Sequence, residues 1–226
     1  MTVEFTETAR RLGILSALSI VVLEVAYAVT LVIGLLSLES PQQPIGEPMF
    51  SILEALIIVL SPAMVGLIVA VHAWAAPEVR FLSLMAIVFA SLLCGITCCV
   101  HFAILTLSRQ PAFGAQPWLV LFLSFQWPSL AYALDILAWD VFFPLAMFCV
   151  APVFAGSRLA TTIRVLTIAA GLLALAGLLG VVAGDMNIRN VGIVGYVGVF
   201  PLVAALLALL FYRIRPANST PPFDSV

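Results

Sequence analysis

The sequence predicts an all-α fold: a polytopic bundle of about six transmembrane helices with both ends in the cytoplasm. Three observations predict it: composition, a series of long apolar runs, and the placement of the arginines. Of the 226 residues, 64% are hydrophobic and 9% charged. A soluble domain is about 45–50% apolar and about 25% charged, so a chain of this size has more apolar surface than a water-soluble core can bury. The missing solvent is lipid.

Six apolar runs follow one another: Leu12–Leu36, Phe50–Ala75, Phe81–Leu107, Leu130–Phe154, Ile163–Ala183 and Gly192–Tyr212. Each is near or above the roughly 20 residues that a helix needs to cross about 30 Å of hydrocarbon. Lipid offers no partner to open backbone, so the runs are helices. Pro62, Pro144 and Pro201 fall inside them and predict local kinks.

The first run follows Arg10 and Arg11, and Ala26-Tyr27-Ala28 imitates a signal-peptidase site. From Leu12 to Leu36 it is 25 residues long, which fits a retained span better than a signal h-region. The eight residues from Trp118 to Phe125 are apolar but short, bounded by Pro117 and by Trp127-Pro128. They read as an interfacial or re-entrant segment before the fourth span.

With the N-terminus inside, seven arginines lie inside (Arg10, Arg11, Arg80, Arg158, Arg164, Arg213 and Arg215) and only Arg109 and Arg189 outside. The positive-inside rule therefore places both ends in the cytoplasm. The bundle is expected to occupy residues 1–215, and residues 216–226 to form a disordered cytoplasmic tail. Asn218-Ser219-Thr220 in that tail matches a glycosylation sequon that a cytoplasmic location would leave unused.

Composition also excludes functions. The net charge of -2 gives no reason to expect a nucleic-acid partner. All nine basic residues are arginine, so a lysine Schiff base and a P-loop phosphate grip are ruled out. Cys94, Cys98, Cys99 and Cys149 lie within apolar runs and form no C-x-x-C pair, so small apolar packing is the plainer reading of each. No cofactor is expected. His72 lies near the inner end of the second span and His101 near the outer end of the third, and opposite membrane faces rule out joint axial ligation of one haem.

Ionisable groups inside a membrane are the first place to look for function. Glu24 lies midway along the first span, and Asp135 and Asp140 lie in the fourth. Each costs roughly 2.5–3.5 kcal/mol at the centre of a span. Arg164 is the nearest intramembrane cation on this reading. Asp140 stands about 14 residues, or roughly 21 Å of helical rise, from the inner end of its span, so Arg164 cannot reach it. The acids are thus expected to lack an internal cation.

Two readings remain open for them. They are hydrogen-bonded structural groups, with Tyr27, Tyr132, Trp139 and neighbouring hydroxyls as partners. Alternatively they face a wet cavity and bind a proton, an ion or a cationic solute. Tyr132, Asp135 and Trp139 share a helix face, while Asp140 points partly elsewhere; Glu24 and Tyr27 share a face of the first span. A carboxylate among aromatic rings suits a lipophilic cation.

Cys94, Cys98 and His101 form a stripe that could ligate copper or zinc, beside the plainer reading of His101 as a packed, hydrogen-bonded residue. Asp185 and Arg189 flank a short turn and are expected to pair across it. Ala176, Gly180 and Gly184, then Gly192, Gly195 and Gly198, space small residues at intervals that let helices approach closely, within one chain or between copies in a homo-oligomer. Ala76-Pro77 before Arg80 and Ala151-Pro152 before Arg158 hint at a repeat, although ordinary helix-end chemistry is the plainer explanation.

Two stretches carry a resemblance. One is Tyr132-Ala-Leu-Asp-Ile-Leu-Ala-Trp-Asp-Val-Phe-Phe with Ala151-Pro-Val-Phe. The other is Ala176-Gly-Leu-Leu-Gly, Gly184-Asp-Met-Asn-Ile-Arg and Gly195-Tyr. They resemble an uncharacterised family of bacterial multi-span membrane proteins with no established activity. The resemblance implies a bacterial inner-membrane location and draws attention to Asp135, Asp140, Asp185 and Arg189.

The functional expectation is a membrane protein, with lipid as its surroundings, that handles or senses a small solute, ion or proton through these carboxylates. The alternatives are a structural or partner-binding subunit and an intramembrane enzyme. No nucleophile elbow, H-E-x-x-H pair or phosphate loop speaks for the last.

Overall fold

The structure, a computed structural model, describes residues 5–40 and 43–214. The expected tail and its sequon lie outside them. Regular structure among the described residues is helical throughout. Six helices are long and apolar enough to cross a membrane: Glu7–Leu36, Met49–Trp74, Pro77–Leu107, Leu130–Val153, Arg158–Ala183 and Met186–Arg213. This is a multi-pass membrane architecture. Large apolar side chains cover the outside, with Leu15 66% and Val182 86% exposed, as lipid permits and water would not.

Capping residues set several of the starts. Thr6, Ser129 and Ser157 accept from the backbone N–H of Ala9, Tyr132 and Ala160 at 3.1–3.2 Å. The fifth and sixth helices begin at Arg158 and Met186, earlier than the apolar runs at Ile163 and Gly192, because caps rather than hydropathy fix a helix start.

Each span packs on its sequence neighbours, and the sixth closes the ring against the first. That closure runs along Phe200–Arg213, where Phe5 stacks on Phe211 at 5.7 Å. Connections after the first, third and fifth spans gather at one end, the loop end; the other is the terminal end.

The prolines behave differently from one another. Pro144 and Pro201 deprive the carbonyls of Asp140 and Val197 of their helical donors. Immediately ahead of each lies a π-helical segment, Leu137–Phe142 and Val194–Val199. Pro62 sits inside an unbroken helix, Met49–Trp74. The carbonyl it frees, that of Ile58, accepts from Cys98 Sγ of the third span at 3.8 Å.

Candidate functional site: a buried ion chain beside a cavity

The fifth and sixth spans meet at a turn that decides the site. Gly184 adopts the left-handed conformation, φ 69°, that favours glycine and ends the fifth helix. Asp185 N–H returns to the Gly180 carbonyl at 3.0 Å. Asp185 then caps the sixth helix, accepting from Asn187 N–H at 2.9 Å. A Cβ on Gly180 would stand 2.6 Å from the Arg189 nitrogen, so its absence lets the sixth helix settle tightly on the fifth. Arg189 thereby enters the bundle as a helical residue, only 5% exposed.

Two sequence expectations are corrected here. Arg189 is buried in the bundle and does not pair with Asp185. It is the internal cation that Asp135 and Asp140 were expected to lack. Its Nε donates to Asp140 Oδ2 at 2.9 Å, its Nη2 to Asp135 Oδ2 at 3.0 Å and its Nη1 to the Tyr132 hydroxyl at 3.2 Å. Arg164, the cation considered from sequence, is exposed.

Asp140 is also corrected: it does not point away from Asp135, since both meet one guanidinium. The π segment at Leu137–Phe142 explains this, because an i→i+5 turn brings residues five apart closer to one face than an α-turn does. Asp140 is fully buried, and its Oδ1 lies where a Cβ on Gly192 would be 2.7 Å away and one on Gly177 3.0 Å away. The glycines at 180, 192 and 195 are buried against elements of the same chain; Ala176 is half-buried, and Gly184 and Gly198 are exposed.

The chain of charges continues through His101. Its Nδ1 bonds Glu54 Oε2 at 2.8 Å, and its Nε2 stands 3.5 Å from Asp135 Oδ1. That Nε2 is buried and has no hydrogen-bond partner among the described residues. Four spans are thus linked in the order Glu54, His101, Asp135, Arg189, Asp140. Three carboxyl groups share one guanidinium and one imidazole, so acidic groups outnumber basic ones by three to two.

The metal stripe is not assembled. Cys98 turns to Ile58 and to Ser61 Oγ, 3.7 Å away, while His101 turns to Glu54. Among the described residues no cluster of three His, Cys, Asp or Glu side chains could hold a metal ion. His72 bonds Ser83 near the terminal end.

A cavity of about 720 Å³ opens beside the ion chain at the loop end. Glu54, His101, Asp135 and Arg189 line it, with Tyr27, Phe50, Phe125, Tyr132, Trp139 and Tyr196. Residues 123–126 also line it, and Phe125 lies 5.0 Å from the His101 ring. The arginine sits over the Tyr132 ring at 4.8 Å. Glu24 stands apart: it is 2% exposed, does not line the cavity, and neither of its oxygens has a partner among the described residues.

Sequence reasoning missed Glu54, Tyr196 and the depth of Arg189. Glu54 was legible as a carboxylate inside the run Phe50–Ala75. The Gly184-Asp185 pair, a helix stop followed by a helix cap, was the signal for Arg189.

Fold and site together define a multi-pass α-helical membrane protein with a buried chain of three carboxyl groups, one guanidinium and one imidazole flanking a cavity. No family model, curated protein or solved structure matches the chain.

Proposed function

We propose that the protein binds a small cationic solute or ion in exchange with protons at the loop-end cavity, as part of transporting or sensing it. One observation carries this reading: Glu54, His101, Asp135 and Arg189 of a buried ion chain line a cavity of about 720 Å³, within the 300–1,000 Å³ range of small-molecule sites. Charge that deep in a membrane protein is costly and marks functional pathways. His101, between two carboxylates, is suited to pass a proton between them.

In this reading the chain lies in a bacterial inner membrane with both ends cytoplasmic, as the arginine bias favours. The loop end then faces outward, and residues 118–125 lie interfacially over the cavity mouth. Reporter fusions after Arg215 and in the Ala76–Arg80 turn should score cytoplasmic, and one in the 37–48 connection external. An external C-terminus would overturn the orientation.

The functional test is thermal stability in lipid nanodiscs between about pH 5 and 8, with and without organic cations. Cations should stabilise the wild type, less at low pH because protons compete for the same carboxylates. Asp135→Asn should abolish the shift and Glu24→Gln, outside the cavity, should keep it. A wild type unmoved by a broad cation panel at every pH would sink the proposal.

A further inference from the structure

We infer that the solute has a cationic head on an apolar body and enters sideways from the bilayer, between the first span and the first half of the sixth. This rests on the cavity being a solute site, as proposed above.

The route follows from how the ring of helices closes. Gly13 of the first span lies beneath Phe211, where a Cβ would meet the ring at 2.6 Å, so the first and sixth spans are in intimate contact near the terminal end. Toward the loop end that contact gives way to the cavity. Leu31 and Leu35 of the first span line one wall, and Ile193 and Val197 of the sixth the other. Leu35 is 53% exposed, and Val194, beside Ile193, is 55% exposed, so both rims turn apolar surface outward. A gap with such rims in a membrane-spanning bundle is wetted by acyl chains rather than by water.

The sign of the head follows from which polar groups are already engaged. Three of the five N–H donors of Arg189 are engaged by Asp140, Tyr132 and Asp135, and two carboxyl groups share its charge, which makes it a poor anchor for an incoming anion. Glu54, in the cavity wall, makes a single side-chain bond among the described residues, through Oε2 to His101, which leaves its Oε1 to accept from or pair with a bound cation. A bound cation meets Glu54 and Asp135 in that wall, and the rings of Tyr27 and Trp139 beside them accept a desolvated ammonium by cation–π attraction.

The experiment measures binding to the full chain in nanodiscs, against empty nanodiscs, with three probes: decyltrimethylammonium, tetramethylammonium and decyl sulfate. Decyltrimethylammonium should bind saturably and at least about 100-fold tighter, by total concentration, than tetramethylammonium, because the bilayer delivers the chain-bearing cation to the opening. Glu54→Gln should weaken it at least about tenfold, as loss of a charged partner does. His101→Gln provides a second variant should Glu54→Gln misfold. Val197→Trp, which fills the gap, should weaken the decyl cation more than tetramethylammonium. If tetramethylammonium binds as tightly, with the same Glu54 dependence, sideways entry is wrong while the solute site stands. Equal binding of decyl sulfate overturns the assigned charge. Binding of neither cation above empty nanodiscs overturns both this inference and the proposed function.

Discussion

The two ends of the bundle are built on different physics. Toward the terminal end the interior is apolar and closed: Met64, Leu67, Val71, Met147, Val150, Phe154, Ile163, Leu207 and Phe211 are each at most 2% exposed. Toward the loop end the same helices hold Glu54, His101, Asp135, Asp140 and Arg189 around open space. In lipid, apolar side chains gain little by leaving acyl chains for one another, so close packing and polar pairing select one arrangement. The closed end supplies the packing. The open end spends part of that stability to keep charge beside a cavity.

The comparison breaks most sharply at Arg189. Arg189→Met leaves Asp135 and Asp140 buried without their shared cation and should cost about 3–5 kcal/mol, read from reversible unfolding in mixed micelles. Adding Asp135→Asn and Asp140→Asn to Arg189→Met should recover most of the loss, since the uncompensated charge is then gone. A single Arg189→Met variant within about 1 kcal/mol of wild type, a surface-pair value, would mean that the ion chain is wetted and does not organise the loop end.

A second contrast compares two glycines of one helix. Gly192→Ala drives a methyl to 2.7 Å from Asp140 Oδ1 and should cost about 1–3 kcal/mol by overpacking. At Gly198 the nearest atom is Val194 Cγ1 at 3.7 Å, so Gly198→Ala has room and should gain up to about 1 kcal/mol from helix propensity. Melting both variants under one condition separates small residues that serve the ion chain from those that do not. Equal effects would show that the Asp140 pocket yields to an added methyl.

Much of this molecule was legible in its sequence. The six spans follow from apolar runs of the right length. Tyr132, Asp135, Trp139 and Asp140 stand out because charge is rare in such runs. The links between spans were less legible. Whether Asp140 joins Asp135 depends on a π turn, and the proline that accompanies it, Pro144, signals a disturbed helix without saying which way the register shifts. Pro62 carries the same sequence signal, yet its helix continues unbroken and Cys98 of a neighbouring span bonds the carbonyl it frees. The metal stripe failed for a related reason: helical spacing placed Cys94, Cys98 and His101 on one face, but the partners of Cys98 and His101 come from the second span, which spacing within the third cannot reveal.

The smallest expected effect sits four residues from the largest. Asp185 and Arg189 share one helical turn, and sequence alone pairs them; the structure sends Arg189 to the fourth span and leaves Asp185 exposed as a helix cap. The cap needs an oxygen acceptor, not a charge, and asparagine supplies one as well as aspartate does. Asp185→Asn should therefore shift unfolding by no more than about 0.5 kcal/mol, the range of ordinary surface substitutions. Asp185→Ala removes the acceptor and should cost about 1 kcal/mol. Neither variant should alter cation binding, because Asp185 does not line the cavity. The discriminating measurement is a double-mutant cycle between Asp185→Asn and Arg189→Met. Additive costs are expected, since the two side chains share no bond. A coupling above about 1 kcal/mol would show that they do interact, and that Arg189 divides its charge between the turn and the ion chain.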